Sequence, residues 1–304
     1  MTHLVAALYK FAPIADPAAL RARLAPVAAE AGLVGSLLIA PEGVNGTISG
    51  RESPLRAFLD RLRAETPLRD LRWKESWAAE APFGRLKIRL KREIVSMGAP
   101  GIVSAETVGA YVEPEDWNEA ISAPGVVVID VRNDYEVAIG RFEGAVDPKT
   151  QSFRAFPDWA AAAAELSGRP TVAMYCTGGI RCEKASAHLR AQGFERVLHL
   201  KGGILEYLER VPEAQSLWRG DCFVFDERVS VGHGLAPGSL SLCRGCRRPL
   251  SAEDRARPDY APGVSCRWCA AETSPDKARA RQERRRQMRL SAARGERHLG
   301  PRSA

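Results

Sequence analysis

Cysteine residues provide the clearest candidates for chemistry in this chain of 304 residues, which contains seven of them. Cys176 follows an apolar run at residues 171–175, and a pair of glycines begins two residues later. If the run is a buried strand, Cys176 lies at its carboxyl end, where open parallel sheets bind their ligands. We therefore interpret Cys176 as a catalytic nucleophile. Its active-site loop consists of Thr177, Gly178, Gly179, Ile180 and Arg181.

The composition of this loop is typical of an anion-binding turn. Gly178 and Gly179 let the backbone curl without Cβ clashes, so several amides can converge on one point. A helix that we predict over residues 181–192 would add its positive N-terminal end. These groups would lower the pKa of the Cys176 thiol and stabilise an anion on a bound reactant. The alternative is a buried structural cysteine beside a glycine turn.

A second set of cysteines has the spacing of a metal site. Cys243 and Cys246 form one pair, Cys266 and Cys269 form another, and nineteen residues separate the pairs. This spacing predicts a structural zinc ion with four cysteine ligands. The surrounding prolines and glycines offer little material for a core, so a metal would supply folding energy. Because four protein ligands leave no open position, we assign the zinc no catalytic role. Thiols without a metal, or a redox pair, are the alternatives.

Positive charge is concentrated at the C-terminal end of the chain. Residues 276–304 contain ten lysines and arginines against three acids, a surplus of seven that equals the whole net charge of +7. A helix is predicted from the cap Ser274-Pro275-Asp276 onward, and we interpret its basic residues as phosphate contacts that do not depend on base sequence. A solvated helix, polar on all sides, is the alternative. The basic residues are Lys277, Arg279, Arg281, Arg284, Arg285, Arg286 and Arg289.

The elements that must position these residues divide the chain into four parts. Residues 1–97 read as strand, helix, two strands, helix and two further strands, which predicts a ferredoxin-like (acylphosphatase-like) α+β domain. A linker at residues 98–101 precedes residues 104–220, where short apolar runs alternate with helices and predict a mostly parallel sheet. Residues 221–275 form a cysteine-rich extension and residues 276–304 a basic tail. The predicted fold class is therefore α/β, with an N-terminal α+β domain, a central parallel-sheet domain, a small cysteine-rich extension and a basic tail helix. In the central part we predict strands at residues 126–129, 171–175 and 197–200 and helices at residues 156–166, 181–192 and 204–211.

Composition argues against a membrane protein and favours the cytoplasm. No stretch approaches the roughly 18 uncharged apolar residues that a membrane helix needs, and the N-terminus lacks the layout of a signal peptide. The protein is therefore expected in the cytoplasm, where thiols stay reduced. Its odd number of cysteines is then read as metal ligands or reactive groups before disulfides.

The central part resembles the rhodanese homology domain over residues 104–218. The motifs that carry the resemblance are Asp130 and Arg132 after a predicted strand, residues 136–145, and the loop that runs from Cys176 to Arg181. In that family the loop cysteine carries a persulfide or a related adduct, and the resemblance implies that Asp130 and Arg132 support the fold and the site. Related cysteine phosphatases place arginine one residue later, where this chain has Cys182, so a phosphatase is disfavoured.

Most of the chain, about residues 1–270, is similar to the bacterial tRNA uridine hydroxylase family. Four separated segments carry the similarity: residues 41–47, 91–95, 176–184 and 220–229. The resemblance implies oxygen-dependent conversion of the wobble uridine, position 34 in the anticodon loop of tRNA, to 5-hydroxyuridine. It also implies tRNA as the partner, molecular oxygen as a co-substrate and an electron donor that the motifs do not identify.

Two mechanisms for Cys176 follow from this resemblance. The thiolate adds to C6 of the uracil ring and activates C5, or the sulfur is itself oxidised or persulfidated and takes part in the oxygen chemistry. Cys182 either joins this redox chemistry or packs in the predicted helix. The second hypothesis for the whole protein is a sulfurtransferase that carries a Cys176 persulfide. A third, a non-catalytic RNA-binding or zinc-scaffold protein that retains a rhodanese fold, is disfavoured because Cys176, Gly178, Gly179 and Arg181 are all present.

Overall fold

The N-terminal part of the chain forms one mixed sheet with two helices. The computed structural model describes residues 2–98 and 107–294. The sheet has the order β4-β1-β3-β2-β5, in which the first four strands pair antiparallel and β5 runs parallel to β2. Its elements are β1 (His3–Phe11), α1 (Pro17–Glu30), β2 (Val34–Ala40), β3 (Gly43–Gly50), α2 (Glu52–Ala64), β4 (Trp73–Ala78) and β5 (Leu86–Leu90).

Local sequence explains these helices. Asp16 caps α1 by accepting the backbone N–H of Ala19 at 2.9 Å, and Pro17 occupies the first helical position. In α2, four apolar residues at helical spacing are completely or almost completely buried against the sheet. The ferredoxin-like arrangement predicted from the sequence is therefore confirmed, with β5 as an additional edge strand.

A second sheet, four-stranded and fully parallel, follows the linker. Its order is β6-β10-β9-β7. The short strands β8 and β11 pair antiparallel beside it. The elements are β6 (Ala110–Val112), α3 (Pro114–Ser122), β7 (Val126–Asp130), α4 (Asp134–Val137), β8 (Gly140–Phe142), α5 (Phe156–Ala162), β9 (Thr171–Tyr175), α6 (Ile180–Ala191), β10 (Val197–Leu200), α7 (Gly203–Arg210) and β11 (Trp218–Gly220).

The parallel sheet predicted for this part is present, together with elements that the sequence did not predict, namely α3, α4, β6, β8 and β11. The helix predicted over residues 156–166 ends at Ala162 because Ala163 is extended (ψ 120°), and a 3-10 turn at Ala164–Leu166 follows. That turn carries Leu166 into the core. The edge strand β6 was not predicted, since it has three residues and two of them are exposed.

The remaining elements are short, apart from the final helix. They are β12 (Cys222–Phe223), β13 (Ser230–Val231), β14 (Ser241–Leu242), β15 (Pro249–Leu250), α8 (Ala252–Ala256) and α9 (Pro275–Ala293). Contacts group residues up to 222, together with 232–236, into one unit, and residues 223–231 with those from 237 onward into a second.

Some sequence predictions concern residues outside the described ranges. They are the linker residues 99–101, the start of the predicted rhodanese domain at 104–106 and the tail beyond 294. Among the described residues, no helix combines the length and the apolar character needed to cross a membrane.

Candidate active site

Cys176 lies directly after β9 and begins the turn into α6. Its side chain is buried, and the backbone N–H of Gly179 donates to its Sγ at 3.2 Å. Gly179 caps α6 with φ 99°, a left-handed conformation that favours glycine. The predicted loop thus wraps around the sulfur, while Gly178 and Ile180 remain partly exposed. A Cβ on Gly178 would meet no heavy atom within 4 Å.

The N-terminus of α7 holds the other side of this loop. The N–H of Ile204 donates to the Cys176 carbonyl at 2.9 Å, and the N–H of Leu205 donates to the Thr177 carbonyl at 3.0 Å. Gly203 has φ 67°, and a Cβ there would lie 2.5 Å from the Cys176 carbonyl oxygen. Gly203 was not among the predicted site residues. Its signal was a glycine pair, Gly202 and Gly203, between a predicted strand and a predicted helix.

The surroundings of Cys176 favour its thiolate. Burial alone would raise the pKa of Cys176. The opposing effects are larger and lower this pKa to about 6: they are a hydrogen bond from the Cys182 thiol, the charge of the Arg181 guanidinium and the backbone N–H groups of Cys182 and Arg181. Burial and the neighbouring Cys176 sulfur raise the pKa of Cys182 well above its ordinary value. Near neutral pH the site therefore contains one thiolate with a neutral thiol donating to it.

Arg181 is fixed by a buried carboxylate. Its two terminal nitrogens each donate to Glu136 at 2.7 Å, and Thr177 Oγ1 donates to the same carboxylate at 3.2 Å. The paired guanidinium holds the pKa of Glu136 below its ordinary value although burial raises it. Glu136 belongs to the rhodanese-like motif at residues 136–145, but that motif did not identify it as a site residue. Its bidentate pairing fixes the orientation of Arg181 beside the thiolate.

Asp130 and Arg132 form a second buried ion pair, at the end of β7. Arg132 donates to both carboxylate oxygens of Asp130, at 2.8 and 2.6 Å, and to the Gly140 carbonyl at 2.6 Å. It also donates to the backbone carbonyl of Glu136 at 3.2 Å. These contacts brace the segment that carries Glu136, so the two residues occupy positions suited to the supporting role inferred for them.

The N-terminal domain contacts α6 through a buried lysine. Lys184 Nζ lies 2.7 Å from Glu93 and 3.0 Å from Glu42, and its side chain is fully buried. Glu42 also accepts the N–H of Ile94 at 2.7 Å, and Asn45 donates to the carbonyl of Ile94 at 2.8 Å. Three of the four family motifs, at residues 41–47, 91–95 and 176–184, therefore meet at one cluster. The motifs themselves did not indicate that Lys184, Glu42 and Glu93 would meet.

Two tyrosines also reach α6, one from each domain. Tyr9 in β1 donates to Glu183 Oε1 at 3.1 Å, and Tyr111 in β6 donates to both oxygens of Glu183 at 2.8 and 2.9 Å. A Cβ on Gly179 would lie 2.8 Å from the Tyr9 hydroxyl oxygen, which places that hydroxyl against the Cys176 loop. No pattern in the sequence identified the two tyrosines as site residues.

Comparison with known proteins follows the same division into domains. The model of the UPF0176 acylphosphatase like domain matches residues 3–94, and that of the Rhodanese-like domain matches residues 113–210. A tRNA uridine(34) hydroxylase of Jannaschia sp. is 56% identical over 98% of this chain and 99% of that protein. One of Mesorhizobium japonicum is also 56% identical, over 97% of this chain and 96% of that protein. This chain belongs to the tRNA uridine(34) hydroxylase family.

The hydroxylase family predicted from four sequence motifs is thus confirmed, together with its acylphosphatase-like and rhodanese-like domains. Among solved structures, the Alr3790 protein from Anabaena sp. is 22% identical, with a TM-score of 0.30, over 36% of this chain and 91% of that one.

The C-terminal unit of this hydroxylase family member brings four cysteines together. The sulfur atoms of Cys243, Cys246, Cys266 and Cys269 all lie within 4.8 Å of one another. Cys266 Sγ is 3.7 Å from Cys246 Sγ and 4.0 Å from Cys269 Sγ. Zinc–sulfur bonds of about 2.3 Å in a tetrahedron require sulfur separations of about 3.8 Å. The four sulfurs therefore fit a closed, structural zinc site.

The basic residues of α9 fall into two groups. Arg281 donates to the Val264 carbonyl at 2.8 Å and to Thr273 Oγ1 at 3.0 Å, and Arg284 donates to the Arg244 carbonyl at 3.0 Å. Arg285 lies beside Gly263, where a Cβ would be 3.2 Å from its Cδ. These three contact the cysteine-rich segment, although Arg284 and Arg285 are also exposed to solvent. The side chains exposed to solvent on the helix include Lys277, Arg279, Arg286 and Arg289.

Proposed function

We propose that this protein hydroxylates the wobble uridine of tRNA, position 34, at C5 of the base in an oxygen-dependent reaction. Relatives that are 56% identical over nearly the whole chain bear the name tRNA uridine(34) hydroxylase. The observation that carries the chemistry is the Cys176 thiolate, held at the end of β9 with its pKa lowered to about 6. A nucleophile that is ionised near neutral pH suits covalent catalysis on an uncharged ring.

The reaction begins with addition of the Cys176 thiolate to C6 of uracil. This addition converts C5 into an enolate carbon that can accept an oxygen atom. Removal of the C5 proton and departure of the thiolate then restore the C5–C6 double bond. Overall, one atom of molecular oxygen enters the base and the other leaves as water, with two electrons from an external reductant and two protons.

Each residue around Cys176 has a distinct role in this proposed reaction. The Gly179 N–H and the Cys182 thiol stabilise the thiolate before addition, and Arg181 supplies positive charge beside it. Glu136 holds Arg181 in place. A nucleobase from the anticodon loop, which is already unpaired, would approach past Gly178, where the loop is partly exposed and open.

The rhodanese-like domain favours a second candidate, transfer of sulfur from a Cys176 persulfide to tRNA. The two products have nearly the same mass, because one gains an oxygen atom and the other exchanges oxygen for sulfur. The test therefore incubates the protein, unmodified tRNA and a reductant under heavy oxygen gas (18O2). Label in the modified nucleoside supports hydroxylation, whereas an unlabelled thionucleoside contradicts it.

The same experiment tests the role of Cys176. Cys176→Ala should give neither labelled nucleoside nor a denaturation-resistant protein–RNA adduct. Cys222→Ala is the matched control, because Cys222 is another buried cysteine and burial raises its pKa to about 12. A labelled product without any adduct would exclude ring addition and favour an oxidised sulfur on Cys176.

We further propose a structural zinc ion on Cys243, Cys246, Cys266 and Cys269, supported by the fit of their sulfur positions. The exposed basic side chains of α9 are proposed to contact tRNA phosphates around the anticodon stem and loop. A tRNA substrate and seven cysteines without a disulfide favour the cytoplasm as the site of the reaction.

A further inference from the structure

Glu183 is a buried carboxylate with an unusual set of partners. It lies in the first turn of α6, and its side chain accepts hydrogen bonds from Tyr9 and Tyr111. The other buried glutamates near the site are paired with cations, Glu136 with Arg181 and Glu93 with Lys184. Among the described residues, Glu183 has hydroxyl partners and no ion-pair partner.

This environment makes Glu183 more basic than an ordinary carboxylate. Burial raises the pKa of Glu183, the tyrosine hydrogen bonds oppose that rise, and the nearby Cys176 sulfur adds to it. The net result is a pKa above the ordinary value. Ion pairing does the reverse at Glu136, whose pKa is lowered. Of Glu183 and Glu136, Glu183 is therefore the one suited to take up a proton.

The tyrosines connect Glu183 to the Cys176 loop on one side and to solvent on the other. The Tyr9 hydroxyl lies against Gly179, whose N–H donates to Cys176 Sγ. Tyr111 is 51% exposed, and its ring packs on His199 with centroids 4.3 Å apart. Glu183 is thus one hydrogen bond away from Tyr111, a side chain that is half exposed to solvent.

The proposed reaction requires a base, because the C5 proton must leave after the oxygen atom has been added. We propose that Glu183 is this base, with Tyr9 and Tyr111 as the residues that position it; the assignment rests on the proposed hydroxylation. In the step, the C5–H and C6–S bonds break, and the C5–C6 double bond and a Glu183 O–H bond form. Cys176 leaves as the thiolate with the electron pair of the C6–S bond.

Two other groups near the loop are less suited to this step. Cys182 remains a thiol at neutral pH, since burial raises its pKa well above the ordinary value. Glu136 is occupied by Arg181 and Thr177. Glu183 accepts from neutral hydroxyls, so that protonating it breaks no ion pair.

The test compares Glu183→Gln with Glu195→Gln, an exposed glutamate outside the site. Single-turnover reactions with tRNA would measure the denaturation-resistant Cys176 adduct and the 5-hydroxyuridine in the same samples. Glu183→Gln should form the adduct at about the wild-type rate but resolve it about 100-fold more slowly, the usual loss for a missing general base. Glu195→Gln should match the wild type.

Deuterium at C5 of the wobble uridine adds a second measurement, the isotope effect on product formation. This isotope effect would not change if Glu183 had only a structural role. With Glu183→Gln, loss of the C5 proton becomes rate-limiting, so the isotope effect on product formation should exceed that of the wild type. Tyr111→Phe, which removes one hydroxyl, should show a smaller increase in the same direction. It also tests the proposal if Glu183→Gln does not fold.

Three results would overturn the assignment of Glu183. They are wild-type resolution of the adduct by Glu183→Gln, an unchanged isotope effect in both variants, and loss of adduct formation by Glu183→Gln while Cys176 still ionises normally. Failure of the proposed function would look different, because the wild type itself would then give neither adduct nor 18O-labelled nucleoside.

Discussion

The two cysteine sites of this protein use the same side chain in opposite surroundings. Cys176 is one sulfur among hydrogen-bond donors and a guanidinium, which lower its pKa to about 6. In the four-cysteine cluster the sulfurs face one another. A hydrogen bond from Cys246 lowers the pKa of Cys243 to about 4, while its partner Cys243 raises the pKa of Cys246. Donors activate a single thiolate, whereas several thiolates together require a cation such as zinc.

The scaffolds around the two sites differ as well. The Cys176 loop lies between β9 and α6, and its packed core includes Ile129, Val172 and Met174. In the C-terminal unit, the hydrophobic cluster around the cysteines contains the four cysteines themselves, Leu250 and Tyr260. Loss of a sulfur should therefore abolish chemistry at the first site and folding at the second.

The largest expected effect is removal of the metal from the four-cysteine cluster. Zinc contributes on the order of 10 kcal/mol to the folding of small modules, so chelation should expose residues 237–294 to proteolysis. Metal analysis should show one zinc per chain before chelation, and Cys243→Ser should reproduce the loss. Alkylation of Cys176 should be unchanged. A protein that contains no zinc yet resists proteolysis in this segment would break the comparison.

The next largest effect concerns Cys176 itself. Cys176→Ala should reduce formation of 5-hydroxyuridine at least about a thousandfold, or about 4 kcal/mol in activation free energy, because no other group replaces the nucleophile. Folding should be retained, as circular dichroism can show. Single-turnover assays at saturating tRNA separate this loss from weaker binding. Residual activity within tenfold of the wild type would remove Cys176 from the role of nucleophile.

Arg181 tests whether the donors around Cys176 set its reactivity. Arg181→Ala leaves Glu136 as an uncompensated buried charge, which should cost about 3 kcal/mol in the free energy of unfolding and raise the pKa of Cys176. Urea denaturation and the pH dependence of alkylation measure the two effects. The exposed pair of Arg244 and Glu227 provides a control, since Arg244→Ala should leave both nearly unchanged. An unaltered pKa of Cys176 in Arg181→Ala would contradict this account.

The lowered pKa of Cys176 also predicts a pH dependence of stability. The folded thiol titrates near 6 and the unfolded thiol near its ordinary value of 9.0. Between these values the unfolded chain binds the extra proton, so stability rises with pH. The free energy of unfolding of the wild type, relative to Cys176→Ala, should increase from pH 6 to pH 8 and level off below pH 6. A flat difference over this range would show that the thiolate is not stabilised in the folded protein.

The features of the two cysteine sites that could be predicted from the sequence are those formed by residues close together in the chain. The strand, Cys176, the glycine pair and Arg181 are adjacent in the chain, and the two cysteine pairs of the cluster have a recognisable spacing. Tyr9, by contrast, lies 174 residues from Glu183 in the sequence and meets it only in the folded protein. The short edge strand β6, which carries Tyr111, has no apolar periodicity to announce it.

Ion pairs between distant segments also could not be predicted from local sequence patterns. The sequence placed Glu42, Glu93 and Lys184 in three separate motifs, but their meeting depends on how the N-terminal domain packs against α6. Likewise, the sequence places the arginines of α9 on all sides of the helix, and only tertiary hydrogen bonds distinguish Arg281 and Arg284 from Lys277 and Arg289.

The smallest expected effect extends the comparison to the helix beside the four cysteines. Lys277→Ala combined with Arg289→Ala should weaken tRNA binding severalfold and reduce the salt dependence of the logarithm of the affinity by roughly two, as expected for two lost phosphate contacts. Filter binding across salt concentrations measures both quantities. Arg281→Ala is the control: it removes one positive charge, where the double variant removes two, and it also removes the contacts with Val264 and Thr273, so it should lower the stability of the module. If the double variant and Arg281→Ala change the salt dependence equally, the division of α9 into an attaching group and a phosphate-binding group is wrong.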